Sequence, residues 1–319
     1  MIKAEVMQEF EVANFYPIFS QKLKSLDSSF LFTKNHQIRH PGGIFNICFN
    51  DILSSIKELI LSLNSNKNSK ELHSLTKMVL WDLNKLFESG YEIFLAFCNQ
   101  GDSPKPKQPI HGWLKDKKYT FVDDYYKNLK SEKEHYLDIY NSLKHSSNRL
   151  RNIAFSEESG RQIIGFYVEG PNCNGAIGPL DKLHPVHDGK YTAISYNKFL
   201  MDVYYLVYKI SYEMEDILIK SSNISQDNNL DTSNNNDSIA KEVFIMMEEV
   251  LKEAILFPNE DENQWYFIYN SENNKISFNK RAFPKIKNGW RILFSTNGDG
   301  YSKSFIHPYI DSNENSIGP

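Results

Sequence analysis

Cysteine is scarce in this chain: 319 residues hold three, Cys48, Cys98 and Cys173. An odd number excludes a complete disulfide set, and the spacing matches no zinc pattern. Reduced thiols in a cytoplasmic protein are the expectation. An excess of charge of one sign is missing too. The net charge is −4 and the pI is near 6.2, so the chain lacks the basic surplus that grips long nucleic acid unaided. A local basic patch stays open. No stretch approaches the ~18 apolar residues of a membrane span. Met1-Ile2-Lys3-Ala4-Glu5-Val6 lacks the apolar core of a signal peptide. No membrane association is expected.

Aromatic residues are plentiful, with 18 Tyr and 21 Phe, which argues for a folded globular protein. The length allows one large core or two modest ones. Asn, Lys, Ile and Ser are abundant, which fits an AT-rich bacterial gene.

Residues 8–25 carry a weak helical pattern, with Phe10, Phe15, Ile18 and Phe19 placed to pack on the main body. His40-Pro41-Gly42-Gly43 ends this N-terminal extension of residues 1–43. Helices are predicted over 44–63, 71–98, 122–145 and 195–219. In the second, Leu72, Leu75, Val79, Leu83, Leu86 and Phe94 keep helical spacing. The fourth is almost continuously apolar and aromatic, the mark of a central helix. A hairpin is expected between the third and fourth, from a strand over 162–168, a turn over 171–175 and a short return at Ala176-Ile177. Residues 221–238 are an Asn/Ser/Asp tract with little to bury, read as a disordered linker. A fifth helix over 239–256 and strands over 265–269, 275–279 and 290–295 complete a C-terminal unit of residues 239–319. The expected fold class is mainly α: a four- to five-helix bundle over 44–220, an inserted β-hairpin, and a small C-terminal α+β unit.

The end of the third helix holds the best candidate site. Glu134, Asp138, Asn141 and His145 are spaced by four, three and four, so they share one helix face. Lys144 lies beside them, and Arg149 and Arg151 follow. A carboxylate near a histidine can fix its tautomer, and cations at a helix end can hold a phosphate. The same stripe also suits an ordinary wet face, with cations complementing the helix dipole.

The long helices, the string Asn141-Ser142-Leu143-Lys144-His145 and the hairpin before the last long helix resemble the HEPN superfamily, in its divergent bacterial branch. The resemblance covers about residues 44–220. It implies a helical bundle that often dimerises, and in many members a metal-independent ribonuclease of defence or toxin–antitoxin systems. The family motif is an Arg followed by His four to six residues on. Here the Arg position falls on Asp138, Ile139 or Tyr140.

Other residues suggest less. His184 and His187, with Asp181 and Asp188, show no third metal ligand beside the histidines. Tyr204, Tyr205, Tyr208 and Tyr212 suit base stacking, or a core or dimer seam. Asn297-Gly298-Asp299-Gly300 is a calcium-loop fragment without the remaining ligands.

Two function classes follow. In the first, a HEPN-like, RNA-directed and defence-associated protein, the resemblance implies catalysis by His145, with Lys144, Asn141 and Asp138 around it. His145 would be general acid or base, and Lys144 or Arg149 would stabilise the phosphorane charge. Lys144, Arg149 and Arg151 would bind the nucleic acid. In the second, the chain is a non-catalytic module, dimerising through the tyrosine-rich fourth helix and binding a partner protein. No cofactor and no metal is expected in either.

Overall fold

The computed structural model describes residues 8–65, 69–99, 103–144, 147–171, 175–221, 239–287, 289–294 and 305–310. Apart from Ser221, the expected linker over 221–238 lies outside the described residues.

The chain opens with two short strands, β1 (Gln8–Ala13) and β2 (Tyr16–Pro17), where a weak helix was expected. In β1 the charged Glu9 and Glu11 point outward while Phe10 and Val12 are buried, the period-two pattern of a half-buried strand. Helices α1 (Ile18–Lys24) and α2 (Thr33–His36) lead to the long α3 (Pro41–Asn64). Pro41 sits in the first turn of α3, where its missing N–H costs nothing. His40 caps that turn, its Nδ1 accepting from the Gly42 N–H at 3.2 Å. Helices α4 (Ser69–Leu95), α5 (Ile110–Asp116) and α6 (Phe121–Leu143) follow. The long helices therefore form where the apolar periodicity places them.

The sheet regions depart from expectation. Strand β3 (Arg149–Ser156) begins where Arg149 and Arg151 were read as the end of a helix. It pairs antiparallel with β4 (Gln162–Pro171), which also pairs with β5 (Ile177–Pro179). Two-residue strands β6 (Val186–His187) and β7 (Lys190–Tyr191) form a separate ribbon, and β8 (Ile194–Ser195) joins β4. Helix α7 (Tyr196–Lys220) is capped by Ser195, whose Oγ accepts from the Lys198 N–H at 3.1 Å. After α8 (Ile239–Glu253) come β9 (Asn263–Asn270), β10 (Lys275–Ala282) and β11 (Arg291–Phe294).

These strands assemble into two antiparallel sheets, one ordered β2-β1-β10-β9, the other β11-β3-β4-β5 with β8 beside β4. Of the described residues about 51% are helix and 22% strand. The fold is mixed α/β, which corrects the expected mainly α bundle. Strands distant in sequence complete both sheets: β1 pairs with β10, and β11 pairs with β3.

One apolar core joins helices and the first sheet, running from Phe10 through Phe49, Phe87 and Tyr208 to Phe278. A smaller core of Ile153, Phe155, Tyr167 and Phe257 lies on the second sheet. Helix α7 is central, packed by α3, α4, α6 and α8 and by β9. Its Tyr204, Tyr205 and Tyr208 are buried within the chain. Their rings meet Phe10, Phe267 and Phe278, and the Tyr205 ring stacks on Trp265 at 3.8 Å. Three of the four tyrosines expected on a dimer seam are thus internal, covered by β1, β9 and β10, while Tyr212 keeps 46% of its surface exposed.

Candidate functional site

Helices α4 and α6 pack side by side. Along one part of this contact Gly90 admits the Tyr125 side chain: a Cβ on Gly90 would come within 2.6 Å of the tyrosine oxygen. The Tyr125 hydroxyl donates to the Phe87 carbonyl at 3.0 Å, and its ring stacks on Phe87 at 4.9 Å.

Farther along, at the C-terminal end of α6, the same helix pair bounds an open apolar groove of about 450 Å³. From α4 it is lined by Lys77, Met78, Leu80 and Trp81, and from α6 by Tyr140, Leu143 and Lys144. Met78 and Trp81 keep 49% and 57% of their surface exposed. Large apolar side chains at that exposure, one helical turn apart, form a continuous patch instead of scattered surface residues. Trp81 and Tyr140 meet edge to face at 5.8 Å, a favourable ring geometry. Lys144 lays its ammonium 4.2 Å from the Tyr140 ring centre and donates to Asn141 Oδ1 at 3.3 Å. Lys77 and Lys144 leave the groove rim predominantly positive. Asp82 also borders it. Its carboxylate accepts from Ser55 Oγ at 2.5 Å, and burial still raises its pKa above the ordinary carboxylate value.

The residues singled out in the sequence are only partly gathered here. Asn141 and Lys144 stand together at the groove. Asp138 is paired with Lys182 at 2.8 Å. Arg149 is exposed at the first position of β3, opposite Glu169 in register. Arg151 is buried, and its Nε and Nη2 both donate to Glu169 Oε1, at 2.9 and 2.8 Å. Its guanidinium is thereby tied to the second sheet. His145 lies outside the described residues.

Met78, Trp81 and Lys77 were missed. Their signal was present: Met78 and Trp81 are large apolar residues lying off the Leu72–Leu75–Val79–Leu83–Leu86 stripe, so burial of that stripe leaves them facing out.

The weaker candidates resolve differently. His184 is fully buried and accepts the Val168 N–H on Nε2 at 2.8 Å, whereas His187 is exposed. Among the described residues no group of three or more His, Cys, Asp or Glu is placed to hold a metal. Cys48 and Cys98 are free and buried, and burial raises both thiol pKa values. Cys173 and the segment Asn297-Gly298-Asp299-Gly300 lie outside the described residues. Within the described residues no helix is long and apolar enough to cross a membrane. The chain matches no known family model, no curated protein and no solved structure.

Proposed function

We propose that this chain is a non-catalytic interaction module whose α4/α6 groove receives an apolar helix or peptide segment of a partner protein. The observation that carries this reading is the exposed pair Met78 and Trp81 in an apolar groove. Binding energy at such surfaces concentrates in a few aromatic anchors, with Trp prominent. The rim adds selectivity. Lys77 and Lys144 favour a segment with acidic residues flanking its apolar face. A second copy of this chain is a poorer occupant, because a two-fold contact would set the lysines of both copies against each other. The proposed setting is the cytoplasm, where the buried thiols of Cys48 and Cys98 stay reduced.

An RNA-directed, HEPN-like role has less support. It needs cations converging on His145, and Arg151 is held by Glu169. Of the three cations singled out in the sequence, Lys144 and Arg149 are exposed and Arg151 is buried in that pair.

The test is capture followed by reconstitution. Proteins retained by the wild-type chain are compared with those retained by Trp81→Glu, and a captured partner is purified and its affinity for both measured by calorimetry. The expected result is a partner bound at least about tenfold more weakly by the variant, with an unchanged melting temperature because Trp81 is exposed. If no partner separates wild type from variant, the reading fails.

A further inference from the structure

A second concavity, away from the groove, lies where α6 and α7 face β9 and β10. Its volume is about 390 Å³, within the range of small-molecule sites. Three basic side chains from three elements face it: His135 from α6, Lys198 from α7 and Lys280 from β10. Asp202 and Tyr136 form its floor and Trp265 one wall.

The hydrogen-bonding capacity of the cleft is unbalanced. Asp202 Oδ2 accepts from the Tyr136 hydroxyl at 2.7 Å and also from the Lys198 ammonium. An ammonium has three donors and no acceptor. Among the described residues Asp202 is the one hydrogen-bond partner of the Lys198 ammonium, whose side chain is 26% exposed. Lys280 lies over the Trp265 ring at 5.2 Å, and among the described residues it has no carboxylate partner. His135 is accessible and makes no hydrogen bond to a described residue. Asp261, on the rim, already accepts the Asn263 N–H at 3.0 Å. Among the described residues, donors are therefore left without partners on Lys198 and Lys280, beside the two carboxylates Asp202 and Asp261.

We propose that this cleft binds a small metabolite through an oxyanion group, a carboxylate or a phosphate, held by Lys198, Lys280 and His135 with its body against Trp265. The charge states agree with this arrangement. Burial opposes the Lys198 charge, but Asp202, with Glu260 and Asp261 behind it, outweighs that and keeps the lysine protonated. Crowding by protein and the Lys198 ammonium lower the His135 pKa. An arriving anion would offset that repulsion between the two bases. The Tyr136–Asp202 bond keeps the Lys198 ammonium in place before the ligand arrives, which reduces the ordering cost of binding.

The experiment titrates the whole chain with inorganic phosphate and, separately, with acetate, at constant ionic strength set by chloride. The readout is the His135 imidazole resonance, assigned by its absence in His135→Gln. A saturable shift with a dissociation constant of about 1 mM, the scale of a fragment-sized ligand, is expected for at least one anion, and the tighter one names the class. Phenyl phosphate tests the wall, and should bind tighter than phosphate if the ligand body lies on Trp265. Lys280→Met and Lys198→Met should each weaken binding by about tenfold. Lys280 is exposed, so its variant keeps the fold even if loss of Lys198 disturbs it. The proposal is overturned if neither anion moves the His135 resonance beyond the chloride control. It is equally overturned if Lys280→Met binds as tightly as wild type. Trp81→Glu should bind these anions unchanged, so this result stands apart from that for the groove.

Discussion

The ammonium of Lys133 lies 2.8 Å from the centre of the Phe87 ring, inside the α4/α6 contact. Glu88 approaches it only to 3.7 Å. The charge is thus taken from water and compensated chiefly by a ring face and a distant carboxylate. Burial dominates and pushes the lysine pKa down to about 8, against the pull of Glu88.

This has a consequence for stability. An unfolded lysine titrates near ~10.4, so between about pH 8 and 10 the unfolded chain binds more protons than the native one. Stability then rises with pH in that window. The gain from pH 7 to 9.5 is about 2 kcal/mol for this group. Urea midpoints across that range should show the rise, and Lys133→Met should flatten it and be the more stable protein at pH 7. Equal slopes in both proteins would contradict the assignment.

His184 works in the acid range. Its Nε2 accepts from the Val168 N–H, so it must stay neutral to keep that bond. Full burial, with His135 nearby, pushes its pKa down to about 3. An unfolded histidine takes its proton near ~6.5. The stability this group provides is complete above that value and is lost as pH falls towards 3, by roughly 4 kcal/mol at the end. In His184→Gln the amide oxygen can still accept from Val168. That variant should be weaker by about 1 kcal/mol at pH 7, yet less sensitive between pH 6.5 and 4. Denaturant melts at stepped pH measure both quantities.

The Arg151–Glu169 pair supports the second sheet. Arg151 keeps only 7% of its surface exposed. Removing one partner leaves a buried charge unpaired, which costs about 3–5 kcal/mol. Arg151→Met should therefore unfold at markedly lower urea. The double change with Glu169→Met should recover most of the loss, because replacing both charges by apolar groups is often neutral. A double variant no better than the single one would show that the pair does not set the cost.

Purified protein is expected to leave single-stranded RNA intact, with or without added metal chelator, and His145→Ala is expected to change nothing in that assay. The reason is that the motif's Arg position falls on Asp138, Ile139 or Tyr140, while Arg151 is paired with Glu169. General acid–base help alone is worth about 10² to 10⁴ in rate, so a working nuclease would be easily detected by gel. Metal-independent cleavage that disappears in His145→Ala would reverse the functional reading.

The long helices were legible because each buries a stripe over many turns. In α4 the positions Leu72, Val79, Leu83 and Leu86 repeat with helical spacing, and no other local structure puts them on one face. The hairpin β9–β10 was legible for a similar local reason, with two alternating runs around a polar turn. Strand β1 was not. It offers two inward residues, Phe10 and Val12, too few to distinguish from a helix turn. Strand β3 was hidden by Arg149 and Arg151, which look like helix-ending cations until Glu169 is placed beside them.

Sequence alone determined the positions of the long helices and the shortage of net charge, since periodicity is read within a few turns and charge needs no structure. Tertiary structure decided the rest. Pairing of β1 with β10 turns two separate segments into one sheet, against which Tyr204, Tyr205 and Tyr208 of α7 are buried. The fold class changes with it. The groove needs Trp81 and Tyr140, and the cleft needs His135, Lys198 and Lys280. These residues are dozens of positions apart, and only the packing of α4, α6, α7 and β10 brings each group together. Their mutual distances depend on the closure of long loops, which composition and periodicity do not encode.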